Sequence, residues 1–390
     1  MQKVKLLDII EKPLSGEWGS EAEDGNGVLV LRTTNFTNEG IINFNSVVRR
    51  DLGNKNVDKK YLKKGDIIIE KSGGSDNQPV GRVVYFEAEN NKYLFNNFTS
   101  VLRVKNDIAF PKYIFYCLFY KYKIGATRPF ENKTTGLHNL KLEQYINSIL
   151  IPLSPMEEQR AIAEKLDKVS QLVDKRKEQL QQLDQLVKSQ FISFFGSTDL
   201  SDEKKSNVRI GDVAEIVGGS TPKTDIEEYW NGEYFWITPA ELKDDSYMIK
   251  TTIRKLTKAG VESCSLKKMP VNTVLLSSRA PIGKVAITGV EMYCNQGFKN
   301  IICSNKLQPT FIYFLLKYNT KYLNSLGRGA TFKEISKSIV ENIKIPLPPM
   351  EPQNQFAEFV EKVEKLKEKV NNSLTHLNLL KQSLMQQYFG

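Results

Sequence analysis

The chain has 390 residues, of which 40% are hydrophobic and 26% charged, and its net charge is +10. This length exceeds what one hydrophobic core usually serves, so we expect at least two domains. The composition is that of a folded, water-soluble protein and excludes a largely disordered chain. The excess positive charge favours a polyanionic partner such as DNA, although ordinary surface lysine would give the same total.

Export and membrane insertion are not expected for this chain. The N-terminal sequence MQKVKLLDIIEKPL lacks the apolar segment and the cleavage site of a secretory signal. The most apolar stretch, YIFYCLFY at 113–120, is far shorter than the ~20 residues of a membrane span. The four cysteines stand at no metal-binding spacing, so reduced thiols are expected. We therefore predict a cytoplasmic protein without a membrane partner.

The first globular segment predicts a mixed α+β domain. An amphipathic start, VKLLDII (4–10), precedes two short apolar strands, GDIIIEKS (65–72) and PVGRVVYF (79–86). The stretch PKYIFYCLFYKY (111–122) begins with proline and predicts a buried helix. The polar loop GATRPFENKTTG (125–136) follows, and the predicted domain ends at residue 150.

The segment 151–196 predicts one long helix. Its apolar residues recur at heptad spacing, in steps of 4, 3, 4, 7, 3 and 4 with Arg176 at the skipped seam position, and no Pro or Gly interrupts them. Gly196 stands where a helix C-terminal cap is expected. The predicted seam consists of Ile162, Leu166, Val169, Val173, Leu180, Leu183 and Val187.

The segment 197–344 repeats the pattern of the first globular segment. Its four corresponding elements are VRIGDVA (208–214), VNTVLLSS (271–278), PIGKVAIT (281–288) and PTFIYFLLKYNT (309–320). The polar loop that follows, GRGATFKE (327–334), is shorter than its counterpart. We therefore predict a second, diverged copy of the same domain.

A second long helix is predicted over 345–390. It opens with IPLPPMEPQ at 345, which repeats IPLSPMEEQ at 151, and the two helix segments align without a gap, indicating internal duplication. Both helix segments carry no net charge, so all of the excess positive charge lies in the globular segments. The predicted seam of this helix consists of Phe356, Val360, Val363, Val370, Leu374, Leu377 and Leu384.

The order along the chain is globule, helix, globule, helix. If the first helix runs from the first globule to the second, the second helix must run back along it. We therefore predict an α+β fold in which two duplicated mixed α/β domains are separated by two long helices that form an antiparallel coiled coil. In the alternative arrangement, each helix packs only on its own globule.

Catalytic chemistry finds little support in the residues. Asp66, Glu70 and Lys71 faintly resemble a nuclease acid cluster, but the second copy has Asn272 and Leu276 at the positions of the two acids. No glycine-rich motif for a nucleotide or a methyl donor is present. The two histidines lack partners at zinc-binding spacing. We therefore predict no catalytic residues, no metal and no cofactor on this chain.

The Gly-rich and basic loops favour binding to double-stranded DNA, because their residue types contact phosphates and base edges. Equally, each single residue could be an ordinary solvated loop residue. The candidate DNA-binding residues are Ser72, Gly73, Gly74, Arg82, Arg128, Asn132, Lys133, Thr134, Thr135, Ser278, Arg279, Lys284, Arg328, Thr331 and Lys333.

With IPLSPMEEQ and IPLPPMEPQ opening the two helices, the whole chain resembles the specificity subunit of type I restriction–modification systems. The resemblance implies that the globules are target recognition domains, each reading half of a split and asymmetric DNA site. It also implies that the helix pair is a spacer on which two methyltransferase subunits dock, with restriction–translocase subunits joining them. S-adenosylmethionine, ATP and Mg²⁺ would be bound by those partner subunits. The alternative is a coiled-coil scaffold whose globules bind proteins or small molecules.

Overall fold

The computed structural model describes residues 2–22, 25–134, 137–196, 199–201, 208–264, 266–279, 281–327 and 333–390. The chain divides into two compact units, each built from one globular segment and parts of both long helices. Unit 1 comprises Met1–Lys177 and Asn371–Gly390, and unit 2 comprises Glu178–Val370. The boundaries predicted after residues 150, 196 and 344 divide the chain into consecutive segments, whereas unit 1 combines two segments that are distant in sequence. As domain boundaries they stay a prediction.

Unit 1 is a mixed α/β structure. Its strands are β1 (Gln2–Lys5), β2 (Leu14–Ser15), β3 (Ser20–Glu21), β4 (Val28–Leu31), β5 (Val48–Asp51), β6 (Ile67–Glu70), β7 (Ser72–Gly74), β8 (Val83–Tyr85), β9 (Tyr93–Phe95), β10 (Thr99–Leu102), β11 (Glu131–Thr134), β12 (Leu137–Leu140) and β13 (Leu150–Leu153). They form sheets in the orders β1-β13, β2-β10-β6-β8, β3-β5-β4-β9 and β11-β12-β7. Its short helices are α1 (Leu6–Ile9), α2 (Pro111–Lys123) and α3 (Leu142–Ser148).

The long helices contribute to the core of unit 1. Helix α4 (Met156–Phe195) begins in this unit, and helix α10 (Met350–Phe389) ends in it. Ile67 of β6 and Tyr113 of α2 are buried in one cluster with Leu166 of α4. Phe389 of α10 joins the same cluster, and its ring lies 5.2 Å from that of Tyr113. The globular segment and the ends of the two long helices therefore share one hydrophobic core.

Unit 2 has the same kind of architecture. Its strands are β14 (Val208–Arg209), β15 (Ala214–Gly218), β16 (Trp230–Ile237), β17 (Met248–Ile249), β18 (Arg254–Leu256), β19 (Val274–Leu276), β20 (Val285–Thr288), β21 (Tyr293–Cys294), β22 (Lys299–Cys303) and β23 (Lys344–Ile345). They form sheets in the orders β14-β23, β15-β22-β19-β20-β17 and β18-β16-β21. Its short helices are α5 (Ile210–Val213), α6 (Lys258–Glu262), α7 (Pro309–Tyr318), α8 (Thr320–Ser325) and α9 (Lys337–Glu341).

The elements predicted in both copies are present. The amphipathic starts are α1 and α5, the apolar strands are β6 and β19 followed by β8 and β20, and the buried helices are α2 and α7. In α2 and α7 a proline occupies the first helical turn, where its missing N–H leaves no hydrogen bond unmade. The prediction of two duplicated mixed domains is confirmed.

Each long helix has 40 residues, as the heptad pattern indicates. Gly196 follows α4 with a φ of +72°, a left-handed conformation that glycine adopts without steric cost. Its N–H donates to the Ile192 carbonyl at 2.7 Å and ends the helix. No helix in the described part of the chain combines the length and apolar composition that a membrane span requires.

The two long helices run antiparallel. In unit 1, Lys165 Nζ donates to the Tyr388 hydroxyl at 3.3 Å, and Arg176 Nε donates to Ser373 Oγ at 3.2 Å. The residue number falls on α10 as it rises on α4, which defines an antiparallel pair. The same holds in unit 2, where the pairs are Asp184 with Lys367 at 2.6 Å and the rings of Phe191 and Phe356 at 5.3 Å.

The predicted seam residues differ in their burial. Those less than 9% exposed are Ile162, Leu166, Val169, Val173, Val187, Phe356, Val360, Val363, Val370 and Leu384. Those that are half-buried are Leu180, Leu183, Leu374 and Leu377. The aromatic residues Phe191 and Phe389, which the heptad pattern did not include, are also buried. The best-packed parts of each helix therefore lie toward its ends, where globular residues also contact it.

The repeated glutamine of the two helix-opening motifs has the same structural role in both copies. Gln159 is 1% exposed; its Oε1 accepts from the Phe110 N–H and its Nε2 donates to the Ser154 carbonyl, both at 2.8 Å. Gln353 is 0% exposed; its Oε1 accepts from the Gln308 N–H at 2.8 Å and its Nε2 donates to the Pro348 carbonyl at 2.7 Å. Phe110 and Gln308 cap α2 and α7. Each glutamine therefore ties the start of a long helix to the start of the buried helix beside it.

Candidate nucleic-acid interface

A three-stranded sheet brings two of the predicted DNA-binding loops of unit 1 together. Strand β12 pairs with β11 on one side and with β7 on the other. Across the second pairing, Asn139 lies opposite Ser72 and His138 lies opposite Gly74. Loops far apart in sequence, the one around Ser72 and the hairpin that follows Arg128, therefore form one surface region.

The candidate residues of unit 1 differ in accessibility. Gly73, Arg128, Asn132 and Lys133 are exposed, Ser72 is half-buried and Gly74 is buried. The backbone of Thr134 belongs to β11, and Thr135 lies outside the described residues. Gly73 has a φ of +119°, a conformation that side-chain-bearing residues rarely adopt. The loop is therefore shaped by its glycines, which leave the backbone accessible at Gly73.

A polar cluster anchors the hairpin beneath these loops. Lys133 Nζ lies 2.6 Å from Asp76 Oδ1, and hydrogen bonding to this lysine holds the pKa of Asp76 below its usual value. The buried His138 has Nε2 at 3.6 Å from Asp76 and Nδ1 at 3.3 Å from Glu131 Oε2. The other oxygen of Glu131 accepts from the Val80 N–H at 2.9 Å. These contacts join the hairpin to the loop of residues 75–80.

Unit 1 also contains a lysine cluster that the loop analysis missed. Lys55 and Lys60 share the Glu17 carboxylate, and hydrogen bonds from Lys60 and Lys55 lower the pKa of Glu17. Lys71 Nζ lies 3.3 Å from Ser15 Oγ. Partial burial is the main cause that lowers the pKa of Lys71, and repulsion from Lys60 lowers it further. Two lysines thus share one carboxylate, and Lys71 beside them has no acid among its contacts within the described residues, which leaves positive charge next to Ser72. In the sequence, only the position of Lys71 directly before Ser72 signalled this cluster.

Arg82 lies inside the protein and not on the loop surface. Its Nη2 and Nε donate to both oxygens of Glu70 at 2.8 and 3.0 Å, and its side chain is 12% exposed whereas that of Glu70 is 0% exposed. It also donates to the carbonyls of Thr33 and Phe36, both at 3.2 Å. A guanidinium that donates these four hydrogen bonds within the protein stabilises the fold. We therefore assign Arg82 a structural role.

The two acids that faintly resemble a nuclease cluster are each paired with an arginine. Arg103 donates to both oxygens of Asp66 at 2.8 Å, in the same bidentate manner as Arg82 on Glu70. Within the described residues, no group of three or more His, Cys, Asp or Glu side chains could hold a metal ion. The arginines occupy the oxygens that would otherwise be open to a cation.

In unit 2 the corresponding loops are also adjacent. Arg279 and Glu334 form an antiparallel backbone bridge, and the Ile335 N–H donates to the Ser278 carbonyl at 3.0 Å. Arg279 Nε lies 3.0 Å from Glu334, which Lys299 contacts at 3.1 Å. Burial would raise the pKa of Glu334, but the two cations hold it below its usual value.

The candidate residues of unit 2 fall into four groups. Arg279 and Lys333 are exposed, whereas Ser278 is fully buried. The half-buried Lys284 donates to the Leu242 carbonyl at 2.8 Å. Arg328 and Thr331 lie outside the described residues. In both copies, therefore, the loop after the first apolar strand meets the polar loop that precedes the long helix.

The family model described as "Type I restriction modification DNA specificity domain" matches this chain twice, over residues 1–185 and 202–376. Each match covers one globular segment and much of the helix that follows it.

Two curated relatives illustrate the similarity. The MjaIX type I restriction enzyme specificity subunit of Methanocaldococcus jannaschii is 40% identical over 177 residues, or 44% of this chain and 41% of that protein. The StySPI specificity subunit of Salmonella potsdam is 26% identical over 353 residues, or 83% of this chain and 74% of that protein. The chain thus spans less than half of the first relative and about three quarters of the second.

Solved structures show the same fold. A type I restriction–modification S subunit from M. genitalium gives a TM-score of 0.62 at 15% identity, covering 100% of this chain and 96% of that one. A chain from a structure of type I restriction–modification complex assembly gives 0.58 at 18% identity, covering 100% and 97%.

Proposed function

The chain belongs to the family of DNA specificity subunits of type I restriction–modification systems, and from this premise we propose that its two globular regions read the two halves of one asymmetric, bipartite DNA target. The observation that carries the proposal is the twofold match of the family model, once to each globule with its helix. The polar loops of the two copies, residues 125–136 and 327–334, differ in length and sequence. Different loops would read different bases, so the two half-sites should differ.

We further propose that the chain itself is not an enzyme. The helix pair would act as a spacer and as the docking surface for two methyltransferase subunits, with restriction–translocase subunits joining them. Those subunits would bind S-adenosylmethionine, ATP and Mg²⁺. The pairing of Asp66 and Glu70 with arginines supports this view, because carboxylates held in this way are poor metal ligands.

The proposed DNA contacts are revised by the geometry. In unit 1 they are the exposed loop residues Gly73, Arg128, Asn132 and Lys133, with Ser72 and the added Lys71; Arg82 is omitted, and Thr134 and Thr135 remain sequence-based predictions. In unit 2 they are Arg279, Lys284 and Lys333, with Arg328 and Thr331 as sequence-based predictions. Ser278 and Gly74 contribute through backbone shape, since both are buried.

Replacing Lys71 by Met should weaken DNA binding by about fivefold at ~0.15 M salt, because one fewer counterion is released from the phosphates. The slope of log K against log salt should become shallower by about 0.9. Fluorescence anisotropy with the methyltransferase partner present, over a salt series, measures both quantities. Lys92→Met, an exposed lysine of unit 1 outside the loops, serves as the matched control. An unchanged slope for Lys71→Met would remove this residue from the interface.

Exchanging residues 197–344 for the equivalent segment of another family member should change one half of the methylated target and leave the other half unchanged. The reason is that each globule folds around its own loops. Sequencing of methylated bases in a host with and without the exchanged gene identifies both halves. A change in both half-sites would contradict the assignment of one half-site to each globule. DNA binding that is weak and insensitive to salt would instead favour a scaffold that binds other ligands.

A further inference from the structure

The turn that follows β9 in unit 1 and the turn that follows β21 in unit 2 are built in the same way. Each begins with an asparagine directly after the last residue of the strand, Asn96 in one copy and Asn295 in the other. The Asn96 N–H donates to the Leu31 carbonyl at 2.9 Å, and the Asn295 N–H donates to the Ile237 carbonyl at 3.1 Å. The two turns are therefore equivalent elements of the duplicated domain.

A glycine lies against each turn and holds its backbone in place. A Cβ atom at Gly16 would lie 2.0 Å from the Asn96 carbonyl oxygen, and one at Gly219 would lie 2.1 Å from the Cys294 carbonyl oxygen. Only a residue without a side chain permits so close an approach. In unit 1 the N–H and the hydroxyl of Thr99 also donate to the Asn96 carbonyl, at 3.0 and 2.8 Å. Each turn is thus fixed by its own unit.

Each turn also lies beside a loop that carries proposed DNA contacts. In unit 1 the Phe98 carbonyl accepts from the Lys71 N–H at 2.7 Å and from the Ser72 N–H at 3.2 Å. In unit 2 the Gly297 carbonyl accepts from the Ser278 N–H at 2.8 Å. Because these bonds join backbone to backbone, turn and loop share one edge of the unit. A duplex that contacts the loops therefore also lies against the turns.

The second residue of each turn carries an exposed carboxamide, which belongs to Asn97 in unit 1 and to Gln296 in unit 2. Asparagine is common in turns because it tolerates positive φ and bonds to nearby backbone. Asn97 does neither, since its φ is not positive and its side chain makes no hydrogen bond within the described residues. In unit 2 the Thr221 hydroxyl donates to Gln296 Oε1. Local geometry thus gives no reason for a carboxamide at position 97.

The apolar neighbour of the carboxamide differs between the copies. Phe98 follows Asn97 and is 48% exposed, whereas Phe298, which follows the turn of unit 2, is 0% exposed. An exposed phenylalanine at a DNA surface can contact the methyl group of thymine. The two turns therefore present the same polar group with different apolar surroundings, as expected for half-sites that differ in sequence.

We propose that Asn97 and Gln296 are specificity-determining residues, each reading one A·T base pair of the half-site that its unit binds. The carboxamide NH₂ group would donate to adenine N7, and its oxygen would accept from the adenine N6 amino group in the major groove. The neighbouring lysines contact phosphates, which carry no sequence information. At the half-site of unit 1, the Phe98 ring would add a contact with a thymine methyl group. This inference rests on the proposed function, since it assumes that the loops of each unit contact DNA.

Asn97→Ala and Gln296→Ala test the proposal in the full-length chain bound to its methyltransferase partner. The DNA ligands carry the methylation motif identified by sequencing, with each A·T pair replaced in turn by G·C. The wild type should discriminate against one such replacement in each half-site by about 5- to 150-fold. Asn97→Ala should abolish this discrimination in the half-site of unit 1 alone, and Gln296→Ala in the other alone. Both melting temperatures should stay unchanged, because the two side chains are exposed.

A ligand with 7-deazaadenine at the identified position lacks the N7 acceptor. It should weaken binding of the wild type and leave binding of the alanine variant unchanged. Asn106→Ala is the matched control, since Asn106 is an exposed asparagine of unit 1 beyond the opposite end of β10. It should leave discrimination unchanged at every position.

Unaltered discrimination in both alanine variants would overturn the proposal while the proposed function stands. So would a loss of affinity that is equal for all ligands, because it would indicate contact with the DNA backbone. A wild-type complex that binds the motif no better than random DNA would overturn the proposed function itself.

Discussion

Replacing Phe356 by Ala should lower the free energy of unfolding of unit 2 by about 3–5 kcal/mol, the usual cost of removing a fully buried phenylalanine from a packed core. Phe356 is 0% exposed. Its ring lies 5.3 Å from that of Phe191, 5.4 Å from Phe195 and 5.5 Å from Phe314. These rings come from both long helices and from α7, so the cavity would open where the helix pair meets the globular core.

Differential scanning calorimetry of the full chain measures this effect, because two compact units can give separable transitions. Phe359→Ala is the matched control: Phe359 is half-buried, belongs to the same helix and lies 6.4 Å from the Phe356 ring. It should cost far less. Equal losses for the two variants would mean that the aromatic cluster does not hold the start of α10 in place. Weaker binding of the methyltransferase subunit at this end should accompany the loss of stability.

Replacing Arg82 by Met should destabilise unit 1 by about 3–5 kcal/mol, because it leaves the buried Glu70 carboxylate without a counterion. Glu70 receives two hydrogen bonds from Arg82, and its side chain is 0% exposed. The same substitution removes the hydrogen bonds to the Thr33 and Phe36 carbonyls. The expected result is a lower melting temperature for unit 1, with DNA affinity changing only as far as the fold is lost.

The double variant Glu70→Leu with Arg82→Met controls for this interpretation. Leucine occupies the corresponding position in the second copy, Leu276, where it is fully buried in β19. Removing both charges together should restore much of the stability, since no buried charge is then left unpaired. If Arg82 instead contacts DNA, the single variant would lose affinity at an unchanged melting temperature, and the double variant would not regain it.

Patterns of local spacing predicted the framework of this protein. A helix places residues three and four positions apart on one face, so the heptad steps from Ile162 and from Phe356 were sufficient to identify two long helices. Proline and glycine determine the conformation of their own backbone. Because proline stands at the start of α2 and α7 and glycine follows α4, the limits of these elements could be predicted. The order globule, helix, globule, helix then favoured the antiparallel return of the second helix.

Which polar side chains face solvent was decided by contacts between residues distant in sequence. Arg82 was expected at the DNA, but folding brings it onto Glu70 and the carbonyls of the Thr33–Phe36 turn. Ser278 was expected on a loop surface, yet the strand pairing around it buries it. Conversely, Lys71 was added to the proposed DNA contacts because of its neighbours Lys60 and Ser15. No sequence pattern indicates that these residues lie close to Lys71.

The repeated motif combines both kinds of information. Its prolines and its recurrence were visible in the sequence and sufficed to indicate duplication and the family. The role of Gln159 and Gln353 was not visible, because their hydrogen-bond partners at Phe110 and Gln308 lie about 45 to 49 residues earlier. Local periodicity thus determined the elements and their order. Only the tertiary structure determined the partners of each charge and amide, because hydrogen bonding and desolvation depend on neighbours that the folded chain brings together.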